Sequence, residues 1–87
     1  MLELTDQARQ MIGQLRTHRG LPQAGLRIAR RRSGFGLWMS LEEQPLPGDV
    51  VVEVEDAVLY LDEVATQRLA GQTLDARSNA QGAAFFL

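Results

Sequence analysis

Few side chains in this sequence have the chemistry of catalysis or metal binding. His18 is the only histidine, and the 87 residues contain no cysteine. A thiol nucleophile and thiolate ligands for zinc or iron are therefore absent from the chain. His18 stands near the end of a predicted helix, where we expect an exposed surface residue. The sequence does not predict an enzyme, and it predicts no bound cofactor.

The acidic residues form two groups, Glu42-Glu43 and Glu53-Glu55-Asp56. Adjacent residues in a strand point to opposite faces, so Glu42 and Glu43 do not converge on one ligand. Glu53 and Glu55 would share one face of a strand, which is typical of a solvated edge. The spacing does not match a calcium-binding loop, and we predict no metal site.

The most unusual stretch is RIARRRSGFG, residues 27–36, in which four of ten residues are arginine. Arginine is suited to binding carboxylates and phosphates, but two glycines do not make a phosphate-binding loop. Two interpretations stay open. The stretch contacts an anion or an acidic partner, or it is a solvated strand edge whose charge opposes aggregation. The candidate contact residues are Arg27, Arg30, Arg31, Arg32, Ser33, Gly34 and Trp38.

Charge is divided unevenly along the chain. Residues 1–32 have a net charge of +5 and residues 33–87 a net charge of −7, although the whole chain has only −2. We expect the two halves to face each other within the fold or across a dimer. Apolar residues make up 45% of the chain, which favours a folded globular protein.

The length predicts one domain over residues 1–87, with a core small enough that a homo-oligomer is plausible. The start, MLELTDQARQ, lacks the pattern of a signal peptide, and no apolar run is long enough to span a membrane. We therefore expect a soluble, cytoplasmic protein without a membrane partner.

Local patterns predict two helices and six strands that position these residues. Thr5 is a suitable N-cap for a helix over 6–19, and Gly20 is a suitable end. Asp62 is a suitable cap for a short helix to about residue 69. The predicted strands are 26–29 and 37–42, joined by the arginine loop, then a hairpin of 50–54 and 57–61, and a final pair of 74–75 and 83–87.

Most apolar positions of these elements are assigned to the core. The assigned residues are Met11, Ile12, Leu15, Leu26, Ile28, Leu37, Met39, Val52, Val54, Leu59, Leu61, Leu69 and Phe85. Trp38 alternates away from its neighbours Leu37 and Met39, which leaves two alternatives. It lies at an interface, or it covers a second face of the core under the helix.

A series of short segments occurs here in a recognisable order. The segments are Leu4-Thr5 with Ala8, Leu26-Arg27, Ser33-Gly34-Phe35, Gly48-Asp49 with Val51, Leu74-Asp75, and Gly82 with Phe85. In this order they resemble the HesB/IscA-like iron–sulfur biogenesis domain over essentially the whole chain. The resemblance implies an α+β fold. It would be a compact, β-rich domain of short mixed and antiparallel strands, sandwich-like or a partly open barrel, with an N-terminal helix and a short second helix.

The departures from the family pattern concern the cluster ligands. A-type carriers of this family use one cysteine in a Gly-Cys-Ser-Gly-Phe turn and two in a C-terminal Cys-Gly-Cys tail. Here Arg32 stands at the first position, and the chain ends at Leu87 without that tail. A guanidinium cannot be deprotonated to bind a cation. The resemblance thus implies a degenerate, cysteine-free member.

Three functions follow as hypotheses. The first is a non-catalytic accessory protein that binds a partner of iron–sulfur assembly, or itself, without carrying a cluster. The second is a small module that binds an anion or nucleic acid through Arg27 and Arg30–Arg32. The acidic pI and the shortage of nearby rings make nucleic acid the less favoured ligand. The third is an enzyme, which the missing catalytic groups disfavour.

Overall fold

The computed structural model describes residues 2–34, 36–80 and 82–87. Phe35, part of the predicted turn motif, lies outside the described residues. The elements in chain order are β1 (Glu3–Leu4), α1 (Asp6–Arg19), β2 (Gly25–Arg30), β3 (Leu37–Glu42), β4 (Val50–Val54), β5 (Ala57–Leu61), α2 (Glu63–Arg68), β6 (Thr73–Asn79) and β7 (Gly82–Phe86).

The strands form two mixed sheets. One has the order β1-β6-β7, with β1 parallel and β7 antiparallel to β6. The other has the order β3-β2-β5-β4, in which β2 and β5 are parallel while β3 and β4 pair antiparallel at the two edges. This arrangement with two helices confirms the predicted α+β class.

Both helices begin at the predicted caps. The Thr5 hydroxyl accepts a hydrogen bond from the Ala8 N–H at 3.1 Å and donates to Asp75 Oδ1 at 2.7 Å. Asp62 accepts from the Ala65 N–H through Oδ1 and from the Arg30 N–H through Oδ2, both at 2.8 Å. Asp62 therefore fastens the end of β2 to the start of α2.

The core lies between the four-stranded sheet, the helices and β6. Its largest fully buried side chains are Ile12, Ile28, Leu59, Leu69 and Leu74. Every residue assigned to the core from sequence is buried or half-buried. The assignment missed Leu2, Tyr60, Leu74 and a set of small alanines. Leu2 precedes a strand of only two residues, which is too short to show a pattern.

Two predictions about the strands were inaccurate. Strand β6 is longer than the predicted 74–75, whereas β7 is the predicted 83–87 shifted by one residue. The prediction that Glu53 and Glu55 share a strand face is wrong. Strand β4 ends at Val54, and Glu55 lies in the turn to β5 with a φ of 55°. There its carboxylate pairs with Arg9 Nε at 2.8 Å.

Among the described residues, neither helix is long and apolar enough to cross a membrane.

Candidate functional site

The predicted arginine loop joins two antiparallel strands, as expected. Arg30 ends β2, and its N–H is held by Asp62. The Arg31 N–H donates to the Gly36 carbonyl at 3.1 Å, which closes the loop. Gly34 has a φ of 82°, a left-handed conformation that favours glycine. We call residues 30–34 the arginine turn.

Beside this turn lies a cavity of about 490 Å³, which we call the basic groove. It extends over one face of the four-stranded sheet, where Arg27 pairs with Ser40 and Ala29 with Trp38 across β2 and β3. Of the candidate residues, all except Gly34 line it. The lining residues are Arg27, Ala29, Arg30, Arg31, Arg32, Ser33, Trp38, Ser40 and Glu42.

Arg27 is bound within the fold. Its Nε lies 2.8 Å and its Nη2 3.1 Å from the two carboxylate oxygens of Asp49, a bidentate pair. The Asp49 side chain is only 2% exposed and that of Arg27 18%. The hydrogen bond from Arg27 is the largest influence on the pKa of Asp49 and lowers it. Burial raises this pKa, and the hydrogen bond from the Leu46 N–H lowers it, so that the pKa of Asp49 lies below its usual value. Arg27 thus shapes the floor of the groove while its charge is already compensated.

Arg30, Arg31 and Arg32 differ from Arg27. All three are exposed, and in the described part of the chain their guanidinium groups form no ion pair. The Arg31 side chain crosses the backbone at Gly36, where a Cβ would lie 2.8 Å from Arg31 Cδ. Glu42 at the far end is the one acid that lines the groove, so uncompensated positive charge collects at the turn.

Trp38 is 58% exposed on β3, beside these arginines. The alternative that its ring covers the core under the helix is wrong, because its side chain lies on the sheet face opposite the core residues Leu37 and Met39. A large ring in water next to free guanidinium groups favours contact with a ligand.

A second cavity, about 630 Å³ and wide open, lies along α1 next to His18. His18 is exposed, as predicted, and Arg9 at the other end is bound to Asp6, Glu55 and Asp56. The pairs of Arg9 with Glu55 and Asp56, together with Arg27–Asp49, join the basic and acidic halves of the chain as expected. Asp56, the acid that lines this cavity with His18, is paired with Arg9.

The side chains at the arginine turn do not fit a metal ion or an iron–sulfur cluster. Arg32 directs a permanent positive charge to solvent where thiolate would be required. Within the described residues, no three His, Asp or Glu side chains lie close enough to hold a metal ion together. The groove is lined by arginine side chains, two serine hydroxyls and an indole ring, with Glu42 at its far end.

Sequence reasoning missed Asp49, Ser40 and Glu42. Asp49 was noted only within the Gly48-Asp49 segment of the family resemblance, and its role depends on the fold bringing it to Arg27. Ser40 and Glu42 had a usable signal, because they share the strand face of Trp38 by simple alternation.

No protein-family model matches the sequence. Similar proteins nevertheless cover almost the whole chain. It is 29% identical over 89 residues to the iron–sulfur cluster insertion protein ErpA of Idiomarina loihiensis, an alignment covering 99% of this chain and 77% of that protein. It is 31% identical over 88 residues to the uncharacterized protein y4vC of Sinorhizobium fredii, covering 98% and 83% of the two chains.

Solved structures share the fold. The crystal structure of IscA with the [2Fe-2S] cluster matches with a TM-score of 0.80 at 27% identity, covering 98% of this chain and 81% of that one. Escherichia coli SufA, described as involved in biosynthesis of iron–sulfur clusters, has the same TM-score and coverage at 24% identity, a likeness of fold alone.

Proposed function

The chain belongs to the HesB/IscA-like iron–sulfur biogenesis family, and we propose that it serves this system as a non-catalytic, cysteine-free accessory protein. In this proposal it carries no cluster and binds a protein partner of iron–sulfur assembly through the arginine turn and the basic groove.

The proposal rests on the exposed charge of Arg32 in the arginine turn, which is unpaired within the described chain. In the family pattern this position has a cysteine, and here Arg32 occupies it with an exposed guanidinium that lacks an ion pair among the described residues. The surrounding fold is intact, with a TM-score of 0.80 to IscA. A preserved scaffold with a basic surface in place of a ligand is suited to recognising an acidic protein.

The composition of the groove supports a protein rather than a small anion as the ligand. Trp38 supplies a large apolar contact, and tryptophan and arginine are the residue types that contribute most at protein interfaces. Ser33 and Ser40 add hydroxyl groups at the rim. The groove is open along the sheet and does not enclose a ligand from all sides.

Affinity capture from a lysate of the cells that make the protein tests this proposal. We expect identified iron–sulfur assembly proteins to be retained by the wild-type chain and lost with Arg31→Ala/Arg32→Ala. The matched control is Gln67→Glu/Gln72→Glu, which changes the net charge by the same amount at two exposed positions outside the groove. Capture of no such protein, or equal capture by the arginine variant, would contradict the proposal.

One observation favours a second candidate, a module that binds anions or nucleic acid: an exposed indole ring beside three free arginines is also suited to stacking on a base next to a phosphate. The chain's net charge of −2 opposes this function. Titration with oligothymidylate separates the two. Salt-dependent binding that is lost in Arg31→Ala/Arg32→Ala would favour the nucleic-acid module.

A further inference from the structure

Strand β3 has an open side. It lies at the edge of the four-stranded sheet, and among the described residues its only strand partner is β2. An edge strand presents unpaired N–H and C=O groups, and proteins commonly protect such an edge with charge or cover it. Here the positive charge lies at one end, in the arginine turn, and the strand itself carries no basic residue and one acid, Glu42, at its other end.

The hydrogen bonds around β2 identify which groups of β3 face outward. The Arg31 N–H points toward the β3 side, to Gly36, whereas the Arg30 N–H points the other way, to Asp62. Because these directions alternate along a strand, Ala29 and Arg27 bond to β3, through Trp38 and Ser40. The remaining residues of β3, Leu37, Met39 and Leu41, therefore direct their N–H and C=O groups to the open edge.

The edge is flanked by cavities of opposite character on the two faces of the sheet. On the outer face lies the basic groove, with Trp38 and the free arginines. On the inner face lies a cavity of about 200 Å³, lined mainly by apolar side chains that include Leu15, Leu41 and Phe85. A strand added at this edge would send alternate side chains into the two cavities.

We propose that β3 binds an extended segment of a partner protein in which acidic and apolar side chains alternate, and that this segment becomes a fifth strand of the sheet. The acidic side chains meet the basic groove, and the apolar ones enter the inner cavity. The proposal deepens the proposed function and rests on it, since it states what the partner presents to the arginine turn.

Charge complementarity decides for this occupant. The guanidinium groups of Arg30–Arg32 favour carboxylates or phosphates on the outer face of the sheet. A nucleic acid supplies phosphates, but it has no apolar groups at strand spacing for the inner cavity. Strand β4 of a second copy has the alternating pattern in Val52, Glu53 and Val54. However, β4 offers a single acidic side chain, Glu53, whereas a partner segment can present several to the three arginines.

The probe is a short acetylated and amidated peptide of alternating glutamate and leucine. Trp38 is the only tryptophan, so its fluorescence reports directly on the groove. We expect a saturable fluorescence change that weakens as salt is added. A peptide of the same composition in scrambled order, and one with proline at the central position, should bind at least several-fold more weakly because they lack the alternation or an N–H.

Amide hydrogen exchange tests the strand geometry. Saturation with the peptide should slow exchange at Leu37, Met39 and Leu41, and should change exchange at Trp38 and Ser40 much less, because those amides already bond to β2. Arg31→Ala/Arg32→Ala should weaken peptide binding by roughly tenfold, from two lost charge contacts. The control Gln67→Glu/Gln72→Glu should bind as the wild type does.

The outcomes separate this inference from the proposed function. Equal binding of all peptides, no protection along β3, self-association of the chain at the same edge, or binding of oligothymidylate in place of the peptide would overturn the inference. If the peptide fails while the lysate capture still depends on Arg31 and Arg32, only the strand addition is wrong. If both fail, the proposed function fails with it.

Discussion

Arg27 lies in β2 and the arginine turn begins where this strand ends, yet the arginine side chains of the two regions differ in ion pairing and in exposure. Arg27 is held in a bidentate pair with Asp49, whose side chain is 2% exposed. Arg30, Arg31 and Arg32 extend into solvent without an ion pair in the described chain. One region stabilises the fold, and the other is available to a ligand.

The difference shows that the fold, and not the composition, decides what a basic residue does. The sequence alone does not distinguish an arginine whose charge is compensated by a carboxylate from one whose charge is free. We expect variants of Arg27's ion pair and of the arginine turn to differ in stability, and the largest expected effect comes first.

Removing the carboxylate beneath Arg27 should be strongly destabilising. Asp49→Asn leaves a largely buried guanidinium without its counter-charge, and we expect the free energy of unfolding to fall by about 3 kcal/mol. Urea unfolding followed by circular dichroism measures this loss. A change smaller than that of the arginine-turn variants below would contradict the assigned role of the pair.

Filling the space above β2 should also destabilise the fold. A Cβ at Gly25 would lie 2.8 Å from Tyr60 Cε2 and 2.9 Å from the Val58 carbonyl oxygen. Gly25→Ala should therefore cost about 2 kcal/mol through overpacking. Its control is Gly13→Ala in α1, where a Cβ meets nothing within 4 Å and should stabilise the helix by up to about 1 kcal/mol. Equal effects would show that this sheet face is not closely packed.

Stability should depend on acid pH through Asp49. Its pKa is lowered in the fold, chiefly by Arg27, so its contribution is present above the pKa of the unfolded chain and is lost as the pH falls through the folded pKa. Unfolding measured between about pH 5 and pH 2 should show a smaller decline for Asp49→Asn than for the wild type. Asp75, whose pKa is lowered by Thr5 and the Ala76 N–H, should supply the decline that persists. Identical slopes would mean that the pair does not titrate as described.

Neutralising the arginine turn should leave stability almost unchanged. Arg30→Ala/Arg31→Ala/Arg32→Ala removes three exposed charges that make no ion pair within the described residues, so we expect a change of about 0.5 kcal/mol or less. Thermal unfolding beside the wild type provides the measurement. A large loss would show that these arginines stabilise the fold and would remove the contrast with Arg27.

The sequence predicted most of the elements and the groove residues, because both depend on local patterns. Thr5 and Asp62 are caps with short-range signals. The alternation around Trp38 placed its ring opposite Leu37 and Met39, without deciding between an interface and a second face of the core. Pairing between distant segments was not predictable. Nothing local shows that Asp49 reaches Arg27, that Glu55 turns back to Arg9, or that β1 joins β6 at all.

We expect this IscA-like fold to bind a protein partner without holding a cluster. Anaerobic reconstitution with iron and sulfide, followed by desalting, absorption spectroscopy and metal analysis, tests it most directly, with IscA as the positive control. The account predicts a colourless protein without stoichiometric iron, alongside a loaded control. A stable, stoichiometric chromophore on these 87 residues would contradict it.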